Sequence, residues 1–447
     1  MPVTKPASRA IIQHHWDVLC EQIGHRTAGT AGEQQAADYI ESRLRRYGLA
    51  DVHQQRFEFP NWNSSRSAFK VSATGGKRPT RRISSARASV YSVSTPGKGV
   101  RGPMAYLQSG LELDFAKPLK GKIGLLIGAL ALGDEQVKRR VVRSGLKALI
   151  NVDTRMPFAW PTSSQSAPHW VDGFKLPMMG IAYLDAIKLV EQMPLTVEVA
   201  INAKSFVDSS QNVMAQIVGR SKPDEVIIVS GHHDCVDENV GADDNGSGAI
   251  FMLELARILS RHRLRRTVRF ISYGVEERLS IGSYLYMRLL SKAQQRQIVW
   301  VLNADGISSA VGTDQVRVTG TPAMERLAKR VWQSQKHPAE VMAMVSAYSD
   351  HFPFNIISVP SVFLGRQSIV GGAAWQLHSR HDNPQHVSAA VLARTIDTAA
   401  QLLIKVANAP KLPFTRRIEP ILAKQVATIA RNVYRHPWSP DKFDYDR

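Results

Sequence analysis

Three short apolar runs, at residues 226–230, 268–272 and 299–302, alternate along the middle of the chain with segments of helical period. Each is rich in Val, Ile, Leu or Phe and shows little polar alternation, the pattern of strands buried on both faces of a parallel sheet. The fold class predicted is α/β, with a mixed, mainly parallel central sheet flanked by helices. Upstream, Ala37, Ile40, Leu44 and Tyr47 recur at helical intervals, and Gly48 stands where a helix would close. Thr30 and Glu33 have the spacing of a capping box at its start.

The pattern also predicts a second, smaller αβ unit. Residues 121–127, 148–152 and 176–181 are expected as strands, and 137–144 and 185–190 as helices. This stretch has no cluster of His, Asp or Glu suited to chemistry, and it is expected to be an inserted domain over residues 86–204. It interrupts a main domain made of residues 1–85 and 205–410. Residues 61–87, rich in Ser, Arg and Lys, are expected to be a surface loop crossing between domains. Residues 212–217 and 225–230 are expected as neighbouring strands joined by a turn at 219–224. A basic C-terminal piece, 411–447, should form an amphipathic helix striped by Ile421, Val426, Ile429 and Val433, followed by an aromatic and Pro-rich end from His436. No internal repeat is present.

Composition narrows the class further. A chain of 447 residues is too long for one compact core, and 44% apolar with 21% charged residues is ordinary for a soluble protein. No stretch approaches the roughly 20 apolar residues that cross a bilayer. The first apolar patch is broken by Gln13, His14 and His15, which argues against a secretory signal. Two cysteines, Cys20 and Cys235, fit a reducing compartment, so the expected location is cytoplasmic. The net charge of +19 is spread over clusters at 77–87, 257–269 and 416–435 that lack interleaved aromatics, so no specific nucleic-acid partner is expected.

The chemistry follows from what stands after each predicted strand. In open α/β sheets, ligands bind beyond the carboxyl ends of the strands, where residues distant in sequence converge. His232, in Gly-His-His-Asp234, follows the first run, and Asp234 is placed to orient its ring. Asp244, in a Gly-bounded Asp-Asp-Asn turn, could bridge two cations. Glu276 and Glu277 follow the second run: adjacent side chains in an extended segment point apart, so one could ligate a metal while the other serves as general base. Glu276 as base and Glu277 as ligand is the favoured assignment, with the reverse as competitor. Asp305 follows the third run, and His378 offers a further imidazole, with Asp382 as its candidate partner and His381 as rival. His233 alone reads as a satisfied surface or core residue, and Cys235 as packed against the core.

Taken together these motifs resemble the zinc metallopeptidases of family M28. The likeness rests on Gly-His-His-Asp234, Gly-Ala-Asp-Asp-Asn-Gly-Ser-Gly248, Arg266–Phe270 with Glu276-Glu277, Asn-Ala-Asp305, Ser349-Asp-His351 and His378-Ser-Arg-His-Asp382. The insert is similar to a protease-associated domain. The resemblance implies two zinc ions per chain, one held by His232 and Asp305, the other by Glu277 and His378, with Asp244 shared. It also implies a cis peptide at Asp244–Asn245. The implied activity is aminopeptidase hydrolysis by a metal-bridging hydroxide, with Glu276 as general base and Tyr348 or His351 in substrate binding. Peptides are the expected partners, homo-oligomers are possible, and no membrane partner is expected. Rivals are a carboxypeptidase, with Arg366 and Arg380 near the site region, a glutaminyl-cyclase-like enzyme on the same fold, and a non-enzymatic receptor or scaffold.

Overall fold

A computed structural model describes residues 6–74, 80–108, 110–128, 135–153, 158–161, 166–171 and 173–434. The C-terminal end from His436 and the first residues of the 77–87 cluster lie outside the described residues. The chain forms two compact units, one made of Met1–Glu58 and Ser209–Ala430, the other of Phe59–Asp208 with the chain from Arg431 on.

The first unit is built on six strands that we number in chain order: β1 Lys222–His232, β2 Arg266–Tyr273, β3 Ile298–Ala304, β4 Asp314–Thr319, β5 Ala339–Ala343 and β6 Ser361–Arg366. They lie in the order β5-β4-β6-β3-β1-β2, and residues 213–217 add an antiparallel strand beside β2. Pairings β2–β1, β3–β1, β3–β6 and β4–β5 are parallel, while β4–β6 is antiparallel. The sheet is therefore mixed and mainly parallel, as its apolar runs predict. All seven residues of β3 are buried, which is why that strand shows no polar alternation in sequence.

Helices Arg9–Trp16, Ala31–Arg46, Gly248–Leu259 and Ala389–Asn408 supply much of the core on this sheet, including Trp16, Ile40, Phe251 and Leu403. Helix Gly248–Leu259 is buried along almost its whole length, so it reads as apolar all round rather than amphipathic. Its first residue must be glycine: a Cβ on Gly248 would stand 2.3 Å from the Ala304 carbonyl oxygen. That close approach lets the helix start directly beneath the ends of β1 and β3.

Several expectations are corrected. Residues 213–217 do not pair with β1, because β2 lies between them and aligns Val268–Ser272 with Ile217–Val213. A strand buried at almost every position, as β2 is, gains most from an interior place in the sheet. Helix Pro420–Ile429 buries Leu422 and Val426, with Ala430 buried just beyond it. Val426 is buried as expected, but Ile421 is 72% exposed and Leu422 takes its place in the stripe. Residues 61–73 belong to the strand Ala50–Ala73 instead of a loop. Phe69 and Val71 enter a core there, while Ser65 and Arg66 take the exposed positions.

In the second unit, residues from 195 onward pair with Val100–Tyr106, which is followed in order by Ile123–Ile127, Ala148–Val152, Met178–Gly180 and Arg87–Ala88. Two apolar clusters fill this unit, one including Ile123, Ile150 and Val199, the other Trp62, Leu126 and Leu149. Among the described residues no helix is long and apolar enough to cross a membrane.

Candidate metal centre

The carboxyl ends of β1, β2 and β3 bring their following residues together, and His378 joins them from the segment after helix Ala373–Gln376. Two triads result, His232–Asp244–Asp305 and Asp244–Glu277–His378, each with donor atoms within 4.8 Å of one another. Asp244 belongs to both and divides its oxygens between them. Its Oδ1 lies 3.4 Å from His232 Nε2, and its Oδ2 lies 3.1 Å from His378 Nε2. Glu277 Oε2 stands 3.4 Å from the same His378 nitrogen.

His232 Nε2 is fully buried and makes no hydrogen bond. Yet carboxylate oxygens of Asp244, Asp305 and Glu276 stand at 3.4, 3.6 and 3.7 Å from it. An imidazole nitrogen facing several carboxylates at more than hydrogen-bond length suits a cation between them. The electrostatics agree. Burial, with Asp244 adding, pushes Glu277 well above the usual carboxylate range. Burial does the same to Glu276, helped by Asp350, Asp305 and Asp234 and opposed by His232. Asp244 moves the other way: burial would raise it, but its contacts with His232 and His378 hold it low. So many carboxyls in a water-poor site repel one another, and divalent cations would relieve that cost.

Each donor is held by named neighbours. His232 Nδ1 lies 3.2 Å from the Asp234 backbone oxygen and 3.3 Å from its carboxylate, so the other ring nitrogen is turned toward the cluster. The two Asp234 oxygens also accept the amides of Glu276 and Glu277, at 3.0 and 3.1 Å. Glu276 and Glu277 sit on a 3₁₀ turn, not an extended segment, and the turn is what separates their side chains. Val275, Leu279 and Ser280 around it all have positive φ, a strained arrangement that needs outside support. Support comes from Asp234, from Asn212 accepting the Gly274 amide, and from Ser280, whose hydroxyl donates to Glu276 Oε1 at 2.9 Å. Asp305 is oriented by a relay in which Ser230 donates to Asn303, Asn303 to Ser349, and Ser349 to Asp305 Oδ2 at 2.7 Å. The Asp244–Asn245 peptide is cis.

Other expected residues take different places. Asp382 does not orient His378. It accepts the amides of Asp243 and Asp244 at 2.8 and 3.0 Å, because a buried turn needs acceptors for its N–H groups. His381 lies outside both triads, beside Arg380. His233 is fully buried in the core, and its Nδ1 meets the Ser272 hydroxyl at 3.1 Å. His351 is fully buried, stacked on Phe363 at 4.6 Å, with Nε2 3.0 Å from the Ser346 oxygen. That leaves Tyr348, 59% exposed, as the accessible member of the pair. Arg366 is nearly buried and ion-paired with Asp314, which also contacts His337 at 2.8 Å. A guanidinium so engaged is not available to a substrate carboxylate.

Three groups near the centre have no part in the chemistry expected from the sequence. Asp350 is fully buried, and burial pushes its carboxyl up to about 7. Glu33 does not close a capping box: it accepts from the Gly29 amide at 2.7 Å and the Ser210 hydroxyl at 2.7 Å, and is also bonded to the Val275 backbone. Arg26 is fully buried among backbone carbonyls. The Ser349-Asp-His351 motif was a signal for Asp350, whereas nothing local marks Arg26.

A mixed, mainly parallel sheet with two carboxylate–imidazole triads sharing one aspartate, at its strand ends, is the framework of a metal-dependent hydrolase. The comparisons agree. A sequence model of peptidase family M28 matches residues 212–403, which include every triad residue. Aminopeptidase YwaD of Bacillus subtilis is 28% identical over 430 residues, covering 93% of this chain and 87% of that protein. Carboxypeptidase Q of Mus musculus is 26% identical over 330 residues, covering 70% and 68%. The crystal structure of BSAP, a zinc aminopeptidase from Bacillus subtilis, superposes with a TM-score of 0.74 at 24% identity, over 93% of this chain and 99% of that one, and so shares its fold. Over residues 212–403 the chain is therefore similar to peptidase family M28, and its fold is that of the zinc aminopeptidase BSAP.

Proposed function

We propose that the protein is a zinc-dependent aminopeptidase that removes residues from the free N-terminus of peptides. One ion would be held by His232 and Asp305, a second by Glu277 and His378, with Asp244 contributing an oxygen to each. The split of the Asp244 oxygens between two imidazoles carries this reading. Two His and three carboxylate ligands match the nitrogen and oxygen preference of zinc. Bound there, the ions would lower the pKa of water and polarise the scissile carbonyl.

Glu276 does the proton transfer. Its carboxylate is beside the triads but belongs to neither, and Ser280 fixes one of its oxygens. It takes the proton from the attacking water and returns it to the leaving amine. Asp234 keeps Glu276 and Glu277 apart and in register through their amides. The acidic surroundings favour a substrate's ammonium group, which supports action at an N-terminus. Tyr348, which is 59% exposed, is proposed to contact the bound peptide. The unit over Phe59–Asp208 is proposed to be a protease-associated-type module without a catalytic part.

Glu276→Gln tests the assignment: zinc content should be retained while kcat falls by about 10²–10⁴. Parent-like turnover in that variant would remove Glu276 from the role. A carboxypeptidase is the second reading, favoured by the relatives named Carboxypeptidase Q. A panel of aminoacyl, N-blocked and C-amidated peptides separates the two, because only an aminopeptidase needs the free amine.

A further inference from the structure

We infer that Arg26 is a positioning residue for the metal centre, through the loop that carries both His232 and Asp244. Residue 26 lies outside the stretch matched by the family model, in a segment with no metal-ligand candidate. Its guanidinium is fully buried, and all five of its acceptors are backbone carbonyls. Nε donates to His233 O at 2.8 Å, Nη1 to Val240 O at 2.6 Å, and Nη2 to Gly241 O at 3.0 Å. Leu19 O and Gly24 O, at 3.0 and 3.2 Å, complete the set and tie the loop to the N-terminal segment. The backbone of Arg26 adds two contacts to Cys235: its amide meets the thiol at 3.2 Å, and its carbonyl accepts the Cys235 amide at 3.2 Å. Trp16 Nε1 continues the row, donating to Ala242 O at 2.9 Å.

The loop is thus held at residues 233, 235, 240, 241 and 242, between one ligand and the other. The His233 and Gly241 carbonyls are held in buried contacts, and buried carbonyls need donors. The three loop carbonyls are reached by three different nitrogens of one rigid fork, a geometry that a lysine ammonium cannot copy. Gly241 is the last point of the brace, and its carbonyl also accepts the Gly246 amide at 2.8 Å, closing the turn around Asp244. Loosening the fork would let His232 and Asp244 move independently. The effect would then fall on metal affinity, as with other outer groups that orient ligands.

This inference rests on the metal reading above, so zinc binding is measured first on the parent. Zinc affinity is then taken by chelator competition for Arg26→Lys, Arg26→Gln, Trp16→Phe and Arg266→Lys, with metal-free melting temperatures alongside. Arg266 is the control, because it is a fully buried arginine bonded to Glu225, Val406 O and Ala409 O at the opposite end of β2. Both Arg26 variants should lose zinc affinity by about 10- to 100-fold, Trp16→Phe by less, and Arg266→Lys should lose melting temperature only. Parent-like affinity in folded Arg26→Lys or Arg26→Gln overturns the inference. So does an equal loss in Arg266→Lys, which would make the effect one of general stability. Should neither Arg26 variant fold, Trp16→Phe decides, and unchanged affinity there also overturns it. A parent that binds no zinc ends the metal reading itself, and this inference with it.

Discussion

Replacing Asp234 by asparagine tests the coupling between the imidazole ligand and the two glutamates. The carboxylate serves three N–H groups at once: His232 Nδ1 at 3.3 Å, Glu276 N at 3.0 Å and Glu277 N at 3.1 Å. A carboxamide has one oxygen. It can keep one of the two amides, turns its NH₂ group toward the other, and loses the charge-assisted contact with the ring. Two such contacts, at about 1.5–3 kcal/mol each, put roughly 3–6 kcal/mol at stake in a fully buried site. Part will appear as lost stability of the strained turn at Val275–Ser280. The part expressed in ligand placement should lower zinc affinity by about 10- to 100-fold. At saturating zinc, displacement of Glu276 worth about 3 kcal/mol lowers kcat on an aminoacyl-p-nitroanilide by about 10²-fold. Chelator competition, steady-state kinetics and urea unfolding of the metal-free protein read these three parts separately. If kcat and zinc affinity both stay within about threefold of the parent while only stability falls, Asp234 is structural and the coupling argument is wrong.

Further outcomes are expected elsewhere. Burial, with Asp244 and Asp305 adding and Ser308 opposing, pushes the Asp243 carboxyl up to about 6. A raised carboxyl contributes stability that is present below its unfolded pKa and lost as pH rises through the folded value. Metal-free Asp243→Asn should therefore gain on the parent by roughly 3 kcal/mol between about pH 4 and pH 7, and a pH-independent difference would contradict this. Arg366→Leu breaks the buried pair with Asp314 and should destabilise by about 3–5 kcal/mol, read by denaturant unfolding, without changing selectivity between free and amidated C-termini. Tyr348→Phe removes a hydroxyl that the proposal sets against the substrate. Its kcat/KM should fall by about tenfold with stability unchanged, whereas an unaltered kcat/KM would take Tyr348 out of substrate contact.

Much of this protein is legible along the chain because the signals are local. An apolar run such as Trp300–Leu302 is buried on both faces wherever its neighbours lie, and a residue just beyond its end reaches the crevice whatever the strand order. His232, Asp305 and the Glu276–Glu277 pair were accessible for that reason, and chemical type did the rest. Strand order was not, since periodicity marks a residue as buried without saying against what. Residues 212–217 read from sequence as the neighbour of β1, and only the assembled sheet put β2 between. The same holds for the buried charges. Asp382 was near enough to His378 in sequence to be its partner, Arg366 was free to meet a substrate, and Arg26 had no assignment at all. Each partner was chosen by donors and acceptors that fold in from far along the chain, as with Arg26 and Gly241, 215 residues apart. A buried polar group must find its complement in space, so the identity of that complement belongs to the tertiary structure, while the sequence by itself determined only that such groups, following those strands, would meet.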